Sequence, residues 1–345
     1  MQTEVVRVDR TKIDAYVMEK AGKILKSGGL VAFPTETVYG LGADALDWEA
    51  AKKIYAAKGR PSDNPLIVHI ADIEALSKIV KEIPEAARKL SKAFWPGPLT
   101  MIFEKKECVP DGTTGGLSSV AVRMPSDEIA LALIRQGGGY VAAPSANRSG
   151  RPSPTTAQHV YEDMEGVIPL ILDGGAVEIG LESTIVDLTG SCPVVLRPGF
   201  ISLEMLREVV QEVEMDKGLI AEDSSIPPKA PGMKYRHYAP RAELKIVEGE
   251  MERVVSYINK KAMEEPGVGI ICTEETSKHY HAGLVKCIGS RREERSIANH
   301  LFAILREFDK EQVTRIYSES FESPGLGQAI MNRLLKAAGH QKVQV

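Results

Sequence analysis

Hydroxyls, guanidiniums and one histidine gather in short segments that follow apolar runs, an arrangement suited to holding a small polar or anionic ligand. In the segment Phe33 to Gly42 (FPTETVYGLG), Thr35, Glu36 and Thr37 come directly after a short apolar run. Ligands of open α/β sheets bind beyond the carboxyl ends of strands, where such hydroxyls can reach them. The same residues also suit a helix start, with Thr35 as its cap and Tyr39 packed inside. In the segment Lys58 to Ile70 (KGRPSDNPLIVHI), Lys58 offers a point charge and Arg60 a planar fork, a pair that matches phosphate oxygens. Cations at a helix C-terminus also favour its dipole. As loop cations the two are expected to be exposed and to add little to stability. His69, flanked by Val68 and Ile70, faces away from both in a strand, the usual setting of a structural histidine.

Further along, Arg123 closes the run SVAVR, where a bare charge is costly unless a ligand carboxylate or an acidic neighbour pairs it. The segment Ala142 to Ser153 (AAPSANRSGRPS) combines small residues, which let backbone N–H groups approach a ligand, with hydroxyls and two arginines. Glu182-Ser183-Thr184 and Arg197-Pro198-Gly199 repeat the pattern. The stretch 230–240 places Lys234, Tyr235, Arg236, His237 and Tyr238 in succession, too aromatic for a mere spacer; it docks onto a ligand or onto protein surface.

Gly40-x-Gly42-x-x-Ala45 imitates a dinucleotide fingerprint, but polar and aromatic residues separate it from the preceding run, and Asp44 and Asp47 interrupt the helix it requires. The P-loop pattern is absent from the sequence. His279 and His281 lack a second ligand pair, so they read as loop residues and no metal site is expected.

These segments need elements to carry them. Helical spacing marks 13–27, 48–57, 127–136 and 202–213. Short apolar runs at 30–33, 66–70, 99–103, 120–123, 140–143, 168–172, 184–188 and 194–196 read as strands. The alternation predicts a twisted, open α/β sheet over 1–213. Residues 214–240 hold Pro227-Pro228, Pro231-Gly232 and Pro240 without apolar period and read as a linker. Over 241–345, strands at 243–247, 268–272, 284–288 and 313–318 alternate with helices at 251–263, 296–308 and 327–337, a smaller α/β domain.

At 345 residues the chain is long enough for two such domains. Its 43 basic and 47 acidic residues give a net charge of −4, which argues against a broad polyanion-binding surface but is silent on local pockets. No apolar h-region opens the sequence and no run is long enough to span a bilayer, so a cytoplasmic protein without a membrane partner is expected. The four cysteines have no zinc-like spacing and are expected to be reduced thiols.

Taken in order, the segments PTETVYGLG (34–42), KGR (58–60), NPLIVHI (64–70), AVRMP (121–125), APSAN (143–147), RPSPT (151–155), ESTIVD (182–187), LRPG (196–199) and PGMKYRHYAP (231–240) resemble the threonylcarbamoyl-AMP synthase family, in its two-domain form with a YrdC-like catalytic domain. The resemblance implies a twisted open mixed sheet, a linker folded over the active site as a lid and a Rossmann-like second domain. It implies a nucleotidyltransferase that converts L-threonine, bicarbonate (or CO2) and ATP to threonylcarbamoyl-AMP and pyrophosphate, for tRNA threonylcarbamoyladenosine modification. By the same resemblance Lys58, Arg60, Asn64, Ser119, Ser145, Ser153, Arg197, Tyr235 and His237 surround ATP, with Lys58 and Arg60 the catalytic cations. Thr35, Thr37, His69, Arg123, Ala143 and Ser183 surround threonine. Mg2+ accompanies the ATP phosphates, and the implied partners are a downstream threonylcarbamoyl transferase and a weakly contacted tRNA. Two other readings stand beside it: an RNA-binding module of the same fold, which the net charge disfavours, and a carbamoyl-transfer enzyme, whose upstream zinc-finger cysteines this sequence lacks.

Overall fold

A computed structural model of the chain describes residues 1–216, 238–321 and 324–345. They divide into two compact units: 1–149, 153–178 and 182–216 form the first, and 150–152, 179–181 and the described residues from 238 onward form the second.

The first unit is built on eleven strands: β1 (Glu4–Arg7), β2 (Val31–Phe33), β3 (Gly40–Asp44), β4 (Ile67–His69), β5 (Leu99–Glu104), β6 (Ser119–Arg123), β7 (Val141–Ala142), β8 (Leu170–Asp173), β9 (Thr184–Asp187), β10 (Val194–Arg197) and β11 (Glu214–Met215). Among the described residues they form one mixed sheet in the order β1-β8-β2-β3-β7-β4-β6-β5-β9-β10-β11. The expected mixed α/β sheet is present.

Local signals set the helices. Asp14 accepts from the Tyr16 amide to open the helix Ala15–Lys26. Asp47 accepts from the Glu49 amide to open Trp48–Lys58, which Gly59 closes with φ 61°. A left-handed residue there is cheapest as glycine, and it fixes where Lys58 and Arg60 leave the helix.

The two faces of the sheet are covered unequally. Val68, Met101, Phe103, Val122 and Ala142 point to one face, where they pack with Ala51 and Ile54, Ala87 and Leu90, Val160 and Met164, and Leu206, contributed by the helices Trp48–Lys58, Glu85–Phe94, Ala157–Met164 and Leu203–Val210. On the other face the helices Ala15–Lys26 and Glu128–Gln136 pack Met18, Leu25, Ile129 and Leu133 onto Val31, Phe33, Val141 and Leu172. Farther along that face the apolar cluster Ile67, Ala121, Ile102, Ile185 and Leu196 consists of strand residues alone. Among the described residues of this unit, helices pack on one part of this face, and the candidate site lies on the part lined by strand residues.

Several elements depart from the sequence expectations. Residues 40–44 form strand β3, antiparallel to β2, with Val31 opposite Gly42. A Cβ on Gly42 would stand 2.9 Å from both the Phe33 ring and Val141 Cγ1, so this glycine serves close packing rather than a phosphate turn. The edge strand β1, the helices Glu85–Phe94 and Ala157–Met164 and the terminal strand Lys342–Gln344 also fall outside the predicted elements. Residues 214–215, expected to begin the linker, instead pair in parallel with β10. Most of the remaining linker, Tyr235 and His237 included, lies outside the described residues.

The second unit carries β12 (Glu243–Glu248), β13 (Val268–Cys272), β14 (Leu284–Cys287), β15 (Arg315–Glu319) and β16 (Lys342–Gln344) in the order β14-β13-β15-β12-β16. Every pairing among them is parallel. The helices Met251–Glu264, Glu294–Phe308 and Leu326–Ala338 alternate with these strands, as in Rossmann-like folds. No helix among the described residues is long and apolar enough to cross a membrane.

Candidate active site

The part of the face lined by strand residues is organised by strand register. Residues directly opposite in neighbouring strands share a face. His69 is the register partner of Arg123, and Arg123 that of Thr100, which sets a polar row across β4, β6 and β5. One step along the pleat, Ile67, Ala121 and Ile102 form an apolar row. One step further Ser119 opens β6, on the same face as Arg123 but about 13 Å away along the strand. The face therefore offers a polar end, an apolar floor and a second polar end.

Arg123 is the centre of the first polar end. It is 4% exposed, and its charge is met by Glu36, itself 7% exposed. Nη2 donates to Glu36 Oε1 at 2.6 Å, Nη1 to Thr37 Oγ1 at 2.9 Å and Nε to the Gly97 carbonyl at 3.3 Å. The sequence left open whether a ligand or an acidic neighbour pairs Arg123, and Glu36 is that neighbour. Thr35 and Thr37 share a hydroxyl hydrogen bond of 2.8 Å, and Thr35 Oγ1 also reaches the Val38 carbonyl at 2.7 Å. Those contacts close the segment into a tight turn. Thr35 caps no helix, so that alternative fails, whereas Tyr39 is indeed packed inside, its hydroxyl donating to the Gly175 carbonyl at 2.6 Å.

His69 is buried edge-on to Phe33, with ring centroids 6.3 Å apart, and its Nδ1 lies 3.1 Å from the Ile67 carbonyl. Burial first, and the Arg123 charge second, push its pKa down to about 3, so the ring is neutral at physiological pH. On the other flank, Thr100 Oγ1 lies 2.8 Å from Ser183 Oγ. Arg197 donates through Nη2 to that same Ser183 Oγ at 3.1 Å and through Nε to the Ser183 carbonyl at 3.0 Å. Thr35, Thr37 and Arg123 form one hydrogen-bonded group and Ser183 and Arg197 another, and the Arg123–Thr100 register sets the two side by side in one polar layer. Glu36 and Thr100 complete it and were not singled out by sequence reasoning. Glu36 had a faint signal, as the lone carboxylate between two candidate hydroxyls; Thr100, within an apolar run, had none.

A second cluster surrounds Lys58. Its ammonium donates to the carbonyl of Ser145 and to that of Asn147, the latter at 2.6 Å. Ser145 Oγ donates to Asn147 Oδ1 at 2.6 Å. Lys58 thus clamps the 145–147 turn, while Ala143, on the same segment, hydrogen-bonds β4 through the Ile67 carbonyl. The expectation of exposed loop cations is corrected here: Lys58 is 5% and Arg60 9% exposed. Arg60 Nη2 donates to the Pro65 carbonyl at 3.1 Å, because the stiff turn 61–65 folds back on the helix end. Asn64, beside it, is 2% exposed, and its Oδ1 is buried with no hydrogen-bond partner among the described residues. Ser153 is fully buried, bonded to Glu182 at 2.5 Å. Arg148 bonds Asp163 through its amide and guanidinium, and Arg151 belongs to the second unit. Among the described residues no group of three or more His, Cys, Asp or Glu could hold a metal ion.

The chain thus combines a mixed α/β sheet, on and around which buried cations and hydroxyls gather, with a second, parallel α/β unit. The profile of the Sua5/YciO/YrdC family, described as telomere recombination, matches residues 23–199, and that of the threonylcarbamoyl-AMP synthase C-terminal domain matches 201–339. The chain is 50% identical to the threonylcarbamoyl-AMP synthase of Pyrococcus abyssi over 97% of its own length and 98% of the relative's. It is 49% identical to that of Bacillus subtilis over 94% of each chain. The crystal structure of P. abyssi Sua5 complexed with L-threonine matches with a TM-score of 0.93 at 48% identity, covering 99% of this chain and 100% of that one. The chain belongs to the threonylcarbamoyl-AMP synthase family, whose members are nucleotidyl-transferring enzymes.

Proposed function

We propose that this enzyme condenses L-threonine, bicarbonate or CO2, and ATP to threonylcarbamoyl-AMP and pyrophosphate. The observation that carries this reading is the strand-lined part of the sheet face, with Arg123 at one end, Ser119 at the other and an apolar row between. It offers an amino acid carboxylate a buried guanidinium, and a nucleotide the hydroxyl and cationic donors of the neighbouring segments. The solved relative that holds L-threonine has the same fold at 48% identity, which supports threonine as the amino acid.

In the proposed reaction the threonine amine attacks CO2 to form a carbamate and releases a proton. A carbamate oxygen then attacks the α-phosphorus of ATP, the α–β bridging bond breaks, and its electron pair leaves with pyrophosphate. No covalent enzyme intermediate is needed, so the protein's work is positioning and charge stabilisation. Arg123 takes the threonine carboxylate, with Thr35, Thr37, His69, Ala143 and Ser183 around the amino acid. A neutral His69 can hydrogen-bond without adding charge beside Arg123. Lys58 and Arg60 hold positive charge near the phosphates, and Lys58 also fixes the 145–147 turn. Asn64, Ser119, Ser145, Ser153 and Arg197 complete the nucleotide subsite, with Tyr235 and His237 of the linker acting as a lid. The donors of this subsite are amines, guanidiniums and hydroxyls, which suit phosphate oxygens directly; Mg2+ enters as part of the MgATP substrate, on phosphate oxygens and water.

The product is a reactive mixed anhydride, consumed by a threonylcarbamoyl transferase acting on tRNA in the cytoplasm, with weak tRNA contact by this chain. The reading is tested by pyrophosphate release from the full chain with ATP, threonine and bicarbonate, each omitted in turn. Release is expected only with all three present; equal release without threonine would overturn it.

A further inference from the structure

We propose that Glu36 is a positioning residue for amino acid binding, acting through Arg123. This rests on the assignment of the substrate carboxylate to Arg123.

Arg123 ends a strand and its long side chain could take many rotamers, yet its guanidinium is held on three sides, by Glu36 Oε1, Thr37 Oγ1 and the Gly97 carbonyl. Of the five N–H donors of a guanidinium, these bonds use three and leave one hydrogen on each terminal nitrogen. Two terminal donors in one plane are what a carboxylate needs for a bidentate contact. Glu36 is itself fixed, because its Oε2 accepts the Ser126 amide at 3.2 Å, three residues beyond Arg123 in the chain. The carboxylate therefore ties the guanidinium to the backbone that follows its own strand. It also keeps a buried cation compensated when the site is empty. The ligand then meets an oriented fork and need not turn it, so less of its binding free energy is spent on ordering the site.

Glutamine is nearly isosteric but has a single acceptor oxygen where glutamate has two. At position 36 it can satisfy Arg123 Nη2 or the Ser126 amide, not both, so the guanidinium loses either this partner or the partner's anchor to the backbone. Aspartate keeps the charge but withdraws it by one methylene, too short to bridge both partners.

The test measures threonine affinity by calorimetry, and steady-state kinetics of pyrophosphate release, on the full chain. Glu36→Gln is expected to raise the threonine Kd and KM about tenfold, equivalent to about 1.4 kcal/mol, with the KM for ATP and the kcat at saturating threonine within about twofold. Glu36→Asp is expected to raise them at least about threefold, and it carries the test alone if the glutamine variant does not fold. Either variant, folded and binding threonine as tightly as the wild type, would overturn the proposal. In an Arg123→Lys background the Glu36→Gln change should add less than about twofold, since no fork remains to be oriented. A further full tenfold rise there would show that Glu36 does not act through Arg123. Wild-type threonine affinity in Arg123→Lys alone would overturn the carboxylate assignment itself, and this proposal with it.

Discussion

Ser183 and Arg197 meet twice: the guanidinium donates through Nε to the Ser183 carbonyl at 3.0 Å and through Nη2 to its hydroxyl at 3.1 Å. The same hydroxyl lies 2.8 Å from Thr100, which faces Arg123 across the strand pair. A residue proposed to contact threonine is thereby bonded to one proposed to contact ATP. Ser183→Ala removes the side-chain link and leaves the carbonyl link. Threonine and a non-hydrolysable ATP analogue should then bind with less mutual enhancement, the coupling falling several-fold, on the order of 1 kcal/mol. Calorimetric titration of each ligand with and without the other measures it, and equal coupling in wild type and variant would refute the link.

Lys58 makes a prediction that its sequence context, an exposed cation adding little to stability, does not suggest. Because its ammonium satisfies two carbonyls from a buried position, Lys58→Ala should destabilise the protein as well as impair turnover. Uncompensated carbonyls there cost about 1–3 kcal/mol. Thermal unfolding of the full chain should show a clearly lowered midpoint, and an unchanged one would mean that water replaces the clamp.

Asn64 should behave in the reverse way. Among the described residues no donor reaches its buried Oδ1, so they gain no hydrogen bond from it. Asn64→Ala is expected to leave the melting temperature unchanged or higher, while the KM for ATP rises several-fold. A destabilised variant with normal ATP kinetics would make Asn64 structural instead.

His69 links the site to acid stability. Its folded pKa, about 3, lies below the ordinary histidine value near 6.5. Below 6.5 the unfolded chain binds a proton that the folded chain refuses, so stability is fully present above that value and is lost as pH falls toward 3. The slope approaches about 1.4 kcal/mol per pH unit within this window. Melting curves between pH 7 and 4 should therefore fall less steeply for His69→Gln than for the wild type, and parallel curves would contradict the assignment.

Gly42 separates packing from ligand binding. Gly42→Ala brings a methyl within 2.9 Å of Phe33 and Val141 and should cost about 1–3 kcal/mol of stability. Nucleotide affinity of the protein that remains folded should be unchanged, measured at a temperature well below the melting transition.

Much of the scaffold was legible because its signals are local. The helix Trp48–Lys58 begins at Asp47 and closes at Gly59, both visible in the sequence, and β6 reads as an apolar run closed by Arg123. The helix Glu85–Phe94 was harder, because it buries only Ala87 and Leu90 and small residues weaken an apolar stripe. Strand β3 carries no strand signal in the sequence because glycine and alanine fill three of its five positions, and Gly42 is there because Phe33 and Val141 need the space.

The sequence by itself determined the alternation of elements, the family and the side chains available for chemistry, since periodicity, caps and motifs are written in neighbouring residues. Tertiary structure alone decided that Glu36 meets Arg123 across 87 positions, that Lys58 is buried against the 145–147 turn, and that Thr100 joins the polar layer. Those pairings follow from strand order and register, which crossovers between distant segments set. A buried charge then takes whichever partner the register brings within reach, because low-dielectric surroundings make an unpaired one costly.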